Sequence, residues 1–112
     1  MIRINVYDYF GDFAISDADG ETLRKIIDRE LSINDKVIVD FSKVETVLTQ
    51  FLNAAIATLY KNHTSEELRA KLEITGLKST DSLRRVIARA KTFYSNEEAV
   101  KRIIAEEGFY EK

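Results

Sequence analysis

Along this chain the apolar positions change period several times, and each change marks an element. Ile2, Ile4 and Val6 alternate with Arg3, Asn5 and Tyr7, the two-residue period of a strand with one buried face. Gly11-Asp12 then offers a turn, and Phe13 and Ile15 resume the alternation, which predicts an antiparallel hairpin from Ile2 to about Ile15. Ser16, Asp17 and Asp19 crowd the start of a helix, where hydroxyl and carboxylate groups satisfy free amides. Leu23, Ile26, Ile27 and Leu31 give it a buried stripe ending near Ser32. Arg24, Lys25, Asp28 and Arg29 read as its solvated outer face.

The stretch from Val37 to Tyr60 is the one the rest is organised around. The uninterrupted run Val37-Ile38-Val39 has the character of a strand covered on both faces, so it belongs at the centre of the sheet. After Asp40-Phe41-Ser42 and a polar break, Leu48, Phe51, Leu52, Ala55, Ile56 and Leu59 recur at helical spacing, predicting one helix that runs out near Asn62-His63. Thr64-Ser65-Glu66-Glu67 has the spacing of a capping box for a short helical turn. Lys71 to Thr75 reads as another strand, ended by Gly76. A helix from about Thr80 or Asp81 then buries Leu83, Val86, Ile87, Ala90 and Phe93. Ser95-Asn96-Glu97-Glu98 is a second capping box, Val100, Ile103 and Ile104 stripe a final helix, and Gly108 to Lys112 is a loose tail. The expectation is a single α/β domain over residues 1–112: a mixed sheet of four, or five, strands with an N-terminal hairpin and about four packed helices.

Composition narrows the chemistry. At 112 residues the chain is long enough for one self-sufficient core. With 17 basic and 19 acidic side chains, the net charge of −2 makes no global case for nucleic acid or membrane binding. The absence of cysteine removes a disulfide framework, a thiolate metal site and a cysteine nucleophile together. No stretch has the roughly 20 continuous apolar residues of a membrane span, and the alternating N-terminus does not read as a signal peptide. A cytoplasmic, non-enzymatic protein without metal or cofactor, monomeric or weakly dimeric, is expected.

The order of residues from Val37 onward resembles the STAS domain, named for sulphate transporters and anti-sigma-factor antagonists. Apolar residues followed by Asp40-Phe41-Ser42, then Val44 and an acidic residue, sit before hydroxyl and apolar positions entering a helix. In bacterial antagonists that helix opens with Asp-Ser-Ser-Gly, and its first serine is phosphorylated. Leu48, Thr49, Gln50 and Phe51 fall at those positions, so only the hydroxyl of Thr49 is kept. Val44-Glu45-Thr46-Val47 and Phe51-Leu52 are more similar to the STAS-like domains of unknown function. The resemblance implies a regulatory module that docks a histidine-kinase-like ATPase or anti-sigma factor through the Thr49 helix, with Thr49 as phosphoacceptor.

Thr49 has two readings. As a phosphoacceptor it would gain about −1.5 to −2 charges at a helix start. Alternatively Thr49, or Thr46 before it, is simply an N-cap. Gln50, Asn53, Ala54, Ala57 and Lys61 fall opposite the apolar stripe, and most are small or uncharged, as in a docking face; against that, alanine is simply the best helix former.

Other features are weaker. Between Lys78 and Arg102 seven basic residues face three acidic ones, which reads best as a solvated face. Tyr7, Tyr9, Phe10 and Phe13 cluster around the predicted hairpin, where an exposed Tyr9 and Phe10 could anchor a dimer. His63, the only histidine, shows no triad, metal or carboxylate context and reads as a residue closing the main helix. Asp40 and Gly76 mark strand ends, where small ligands bind in open α/β sheets, although Asp40 reads better as a partner for local amides. The leading expectation is therefore a protein-binding module switched at Thr49; the alternatives are a constitutive interaction domain and a small-ligand domain.

Overall fold

The computed structural model describes residues 1–93. The second capping box, the Val100, Ile103 and Ile104 stripe, the tail, and Lys101 and Arg102 of the basic run lie outside the described residues.

Three four-residue strands form the main sheet: β1 (Ile2–Asn5), β3 (Val37–Asp40) and β5 (Leu72–Thr75), in the order β1-β3-β5. Both pairings are parallel, with Ile4 opposite Val39 and Val39 opposite Ile74. Parallel neighbours require long crossovers, and the chain between these strands supplies them. The first crossover holds α1 (Val6–Phe10), β2 (Phe13–Ala14) and α2 (Asp17–Ile33). The second holds β4 (Thr46–Val47), α3 (Thr49–Ala55), a 3₁₀ turn (Ala57–Lys61) and α4 (Ser65–Lys71). A helix α5 follows over residues 81–93. As expected, β3 is central, and Val37, Ile38 and Val39 are all buried.

The register places Ile2, Ile4, Val37, Val39, Leu72 and Ile74 on one face, where α2 and α3 pack; Arg3, Ile38 and Glu73 share the other. The core is continuous from Leu23, Ile27 and Leu31 of α2 through β3 to Phe51, Leu52, Ala55, Ile56 and Leu59. Phe41 and Phe51 meet edge to face with centroids 6.2 Å apart, and Phe10 meets Phe51 in the same way at 5.7 Å. Burial of apolar surface across this core, at about 25 cal/mol per Å², is the dominant favourable term in folding.

Two expectations about the sheet are corrected. There is no N-terminal hairpin: residues 6–10 form a helix, and Gly11, at φ +73°, ends that helix rather than joining two antiparallel strands. Phe13 and Ala14 instead pair in parallel with Thr46 and Val47, so the described strands form a sheet of three and a separate ribbon of two, with no antiparallel pairing among them. Val6 and Phe10 face the core from a helix as well as they would from a strand, so periodicity over five residues did not distinguish them.

The main helix is shorter than its apolar spacing predicts. It leaves α-geometry after Ala55 and continues as a 3₁₀ turn to Lys61. Near the change, the Thr58 hydroxyl donates to the Ala54 carbonyl at 2.7 Å, a back-bond that bends helices. Phe93, expected in the core, is exposed at the end of the described part of α5.

Candidate functional site

The site lies around the start of α3, which β2 and β4 position. Backbone amides of Glu45 and Thr46 donate to the Asp12 carbonyl at 3.0 and 2.9 Å, and the Leu48 amide donates to Ala14 at 3.0 Å. These bonds carry the chain through β4 directly into α3. Leu48 is the N-cap, with extended backbone (φ −94°, ψ 153°) and no side-chain capping bond. Neither Thr46 nor Thr49 caps the helix: Thr46 lies in β4, and Thr49 is the first helical residue. Leu48 is also corrected as a stripe residue. Its extended conformation takes it off the helical face, and it is 43% exposed.

Thr49 is half-buried and faces α5. Its hydroxyl is 3.3 Å from the Ser82 hydroxyl, which accepts a long bond of 3.5 Å from Arg85 Nη2. Gln50 turns the other way and donates from Nε2 to the Ile15 carbonyl at 2.7 Å. Asn53 is exposed, and Ala54 is half-buried against α2. The α2–α3 approach there is close because residue 20 is glycine. A Cβ on Gly20 would stand 2.7 Å from Ala54 Cβ and 2.7 Å from the Phe51 carbonyl oxygen.

An open groove of about 570 Å³ runs between the two helices, with Gln50, Asn53, Ala54 and Thr58 on one wall and Asp17, Ala18 and Glu21 on the other. Three of the residues expected on a docking face thus line one groove, and Thr58 joins them. Thr49 is on the far side of the helix start, toward Ser82. Ala57 and Lys61 fall in the 3₁₀ turn and are not among the groove residues. The carboxylate wall was not legible in the Thr49 helix itself, because Asp17 and Glu21 come from the preceding helix. Arg24 partly neutralises it: its guanidinium holds the Glu21 carboxyl below the usual range, and Glu21 in turn raises Arg24.

The strand ends are occupied by the chain itself. Asp40 Oδ1 accepts from the Ser42 amide at 2.9 Å, as expected, and Asp40 Oδ2 meets Arg3 Nη1 at 2.8 Å. The Ser42 amide first, and then Arg3, hold this carboxyl below its ordinary value. Gly76, at φ +85°, lies so close that an added Cβ would meet the Ser42 backbone and stand 2.8 Å from Asp40 Oδ1.

His63 is corrected most fully. It follows the 3₁₀ turn, but two carboxylates hold its ring: Asp28 Oδ1 is 2.8 Å from Nε2, and Glu67 Oε1 is 3.2 Å from Nδ1. Glu67 lies four residues on in sequence, whereas Asp28 is brought from α2 by the fold. The Thr64 capping hydroxyl is in place, accepting from the Glu67 amide at 3.0 Å, while the Glu67 carboxylate goes to His63. Arg24, Arg29 and Asp28 of the supposed solvated face all take part in ion pairs. Of the aromatic cluster, Tyr7, Tyr9 and Phe13 are exposed and Phe10 packs on the core.

Parallel strands joined by helical crossovers, with one sheet face in the core, make this a small α/β domain of STAS-like organisation. The profile of the family described as STAS-like domain of unknown function (DUF4325) matches residues 19–82, from the first turn of α2 to the first turn of α5. The chain belongs to that family. No curated protein and no solved structure matches it. Among the described residues no helix is long and apolar enough to cross a membrane, and no group of three or more His, Asp or Glu side chains is disposed to hold a metal ion.

Proposed function

We propose that this domain is a non-enzymatic regulatory module that docks a protein partner through the exposed side of α3. The observation that carries this reading is the α2–α3 groove. Gln50, Asn53 and Ala54 present an uncharged wall, and a glycine beneath Ala54 keeps the two helices close. Depletion of charged side chains is the compositional mark of an interface core. The partner class follows from the STAS-like resemblance: a histidine-kinase-like ATPase or an anti-sigma factor. A photo-crosslinking side chain at Asn53 tests the reading in the cells of origin. A discrete adduct is expected from position 53 and none from Ile33, exposed at the other end of α2.

Thr49 supports a regulated version of the same reading. Its hydroxyl is free of capping duty and stands 3.3 Å from the Ser82 hydroxyl, which Arg85 also contacts. A phosphate there would add about −1.5 to −2 charges and break the hydroxyl pair with Ser82, on the α5 side of the helix start and one residue from Gln50 of the groove wall. The constitutive alternative requires the same groove without the phosphate. A small-ligand domain has less support, because Asp40, Ser42 and Gly76 fill the strand ends with their own contacts.

A further inference from the structure

Eight large hydrophobic side chains are exposed among the described residues, and five of them, Tyr7, Tyr9, Phe13, Ile15 and Leu48, come from α1, the β2 strand with its exit, and the start of α3. The β2–β4 register gathers three of these. Phe13 stands opposite Thr46 and Ala14 opposite Val47. The next step of the pair sets Ile15 beside Leu48, whose amide bonds the Ala14 carbonyl. Side chains alternate across a strand. Ala14 and Val47 therefore turn to the core, while Phe13, Ile15 and Leu48 share the outer face, exposed by 55%, 39% and 43%. Apolar side chains exposed together on one face of a ribbon offer a surface that a partner can cover.

The charge around it says what kind of partner fits. Asp8 of α1, Asp12 before β2, Asp17 at the start of α2 and Glu45 before β4 are exposed, and none of them forms an ion pair among the described residues. Asp12 and Glu45 are neighbours, joined through the backbone bond between them. Two lysines share the rim, Lys78, which donates to the Glu45 carbonyl at 3.0 Å, and exposed Lys43, two residues before Glu45, so the four carboxylates remain in excess. A two-fold pairing of the face with itself would set these carboxylates against their own copies, and an anionic lipid surface or nucleic acid would meet the same repulsion.

We propose that the Phe13–Ile15–Leu48 face seats an amphipathic helix of a partner protein, whose apolar stripe is flanked by lysine or arginine. The face adjoins the α2–α3 groove through Gln50, but the proposal does not depend on Thr49 or on its phosphorylation.

The test uses the unphosphorylated full chain, labelled with ¹⁵N, and two synthetic helical peptides that share a leucine stripe and carry either lysine or glutamate on the polar face. The lysine peptide is expected to give saturable shifts centred on Phe13, Ile15 and Leu48 and to bind at least about tenfold tighter than the glutamate peptide. Phe13→Ser and Leu48→Ser should each weaken it by about tenfold or more, as truncation of central apolar anchors does. The pair Asp12→Asn and Glu45→Gln should weaken binding and flatten its salt dependence. The chain is unphosphorylated throughout, so the result is separate from that of the switch. Because the substituted side chains are exposed, each variant should keep the dispersed spectrum of a folded chain. Equal binding of the two peptides, shifts centred elsewhere, or unchanged affinity in both serine variants would overturn the proposal. So would a dimer in sedimentation that Leu48→Ser dissolves, which would make a second copy the occupant.

Discussion

Gln50 Nε2 donates to the Ile15 carbonyl at 2.7 Å, tying the first turn of α3 to the exit of β2 across 35 positions of sequence. The bond fixes where the groove wall of α3 meets the apolar face of β2 and β4. Gln50→Ala should lower stability by about 0.5–1.5 kcal/mol, the net value of one such bond. Urea unfolding checks this, with the denaturant slope expected to stay unchanged.

Gly20→Ala sets two effects against each other. Alanine improves helix propensity by up to about 1 kcal/mol, but its Cβ would meet Ala54 Cβ and the Phe51 carbonyl at 2.7 Å. Overpacking costs about 1–3 kcal/mol, and a backbone carbonyl does not move aside as a side-chain tip does. A lower thermal midpoint is expected. Adding Ala54→Gly should recover part of the loss, since it removes one of the two clashes.

Asp40 gives the fold a pH dependence whose sign is fixed by its partners. The Ser42 amide and Arg3 depress its folded pKa. Its contribution is therefore present above the ordinary carboxylate range and is lost as pH falls through the depressed value. Asp40→Asn should be less stable than wild type at neutral pH, and the difference should shrink in acid. Thermal melts from pH 7 down to about pH 2.5 test it; a gap that widens in acid would contradict the assignment.

Gly76→Ala combines a left-handed backbone, costing about 1–2 kcal/mol for any L side chain, with a clash against the Ser42 backbone. A loss larger than the backbone penalty alone is expected from chemical denaturation. Ser42→Gly should not rescue it, because the contact is with backbone atoms.

Thr49 is tested by the intact mass of the purified chain after incubation with lysate of its native cells and Mg-ATP. A phosphate increment in wild type, absent from Thr49→Val, is expected. No increment in either protein, beside a positive control that gains one, would leave the constitutive reading.

The periodic stretches were legible because local rules and tertiary packing agree there. Ser16 accepts from the Asp19 amide, Thr64 from the Glu67 amide, and Val37 to Val39 sit at the sheet centre, all as their patterns imply. The misreadings share a physical cause. Residues 6–10 are not the arm of a hairpin because β1 pairs in parallel with β3, more than 30 residues on, and a crossover rather than a tight turn joins the two. Leu48 obeys helical spacing by number, yet its extended backbone removes it from the helix face. Half of the candidate site was visible on α3. The carboxylate wall, the Gln50 anchor and the Asp28 contact of His63 come from α2 and the β2 exit, and no local period encodes those pairings.

The most direct test of docking through α3 starts from the partner captured at Asn53, purified and titrated by calorimetry against wild type, Asn53→Arg and, as a distant surface control, Lys25→Glu. Asn53 is exposed and lines the groove, so arginine there should obstruct binding without unfolding the chain. The account predicts a loss of about tenfold or more in affinity for Asn53→Arg, with Lys25→Glu near wild type and both variants melting as wild type does. Equal affinity for Asn53→Arg and wild type would contradict it and place the partner elsewhere on the molecule.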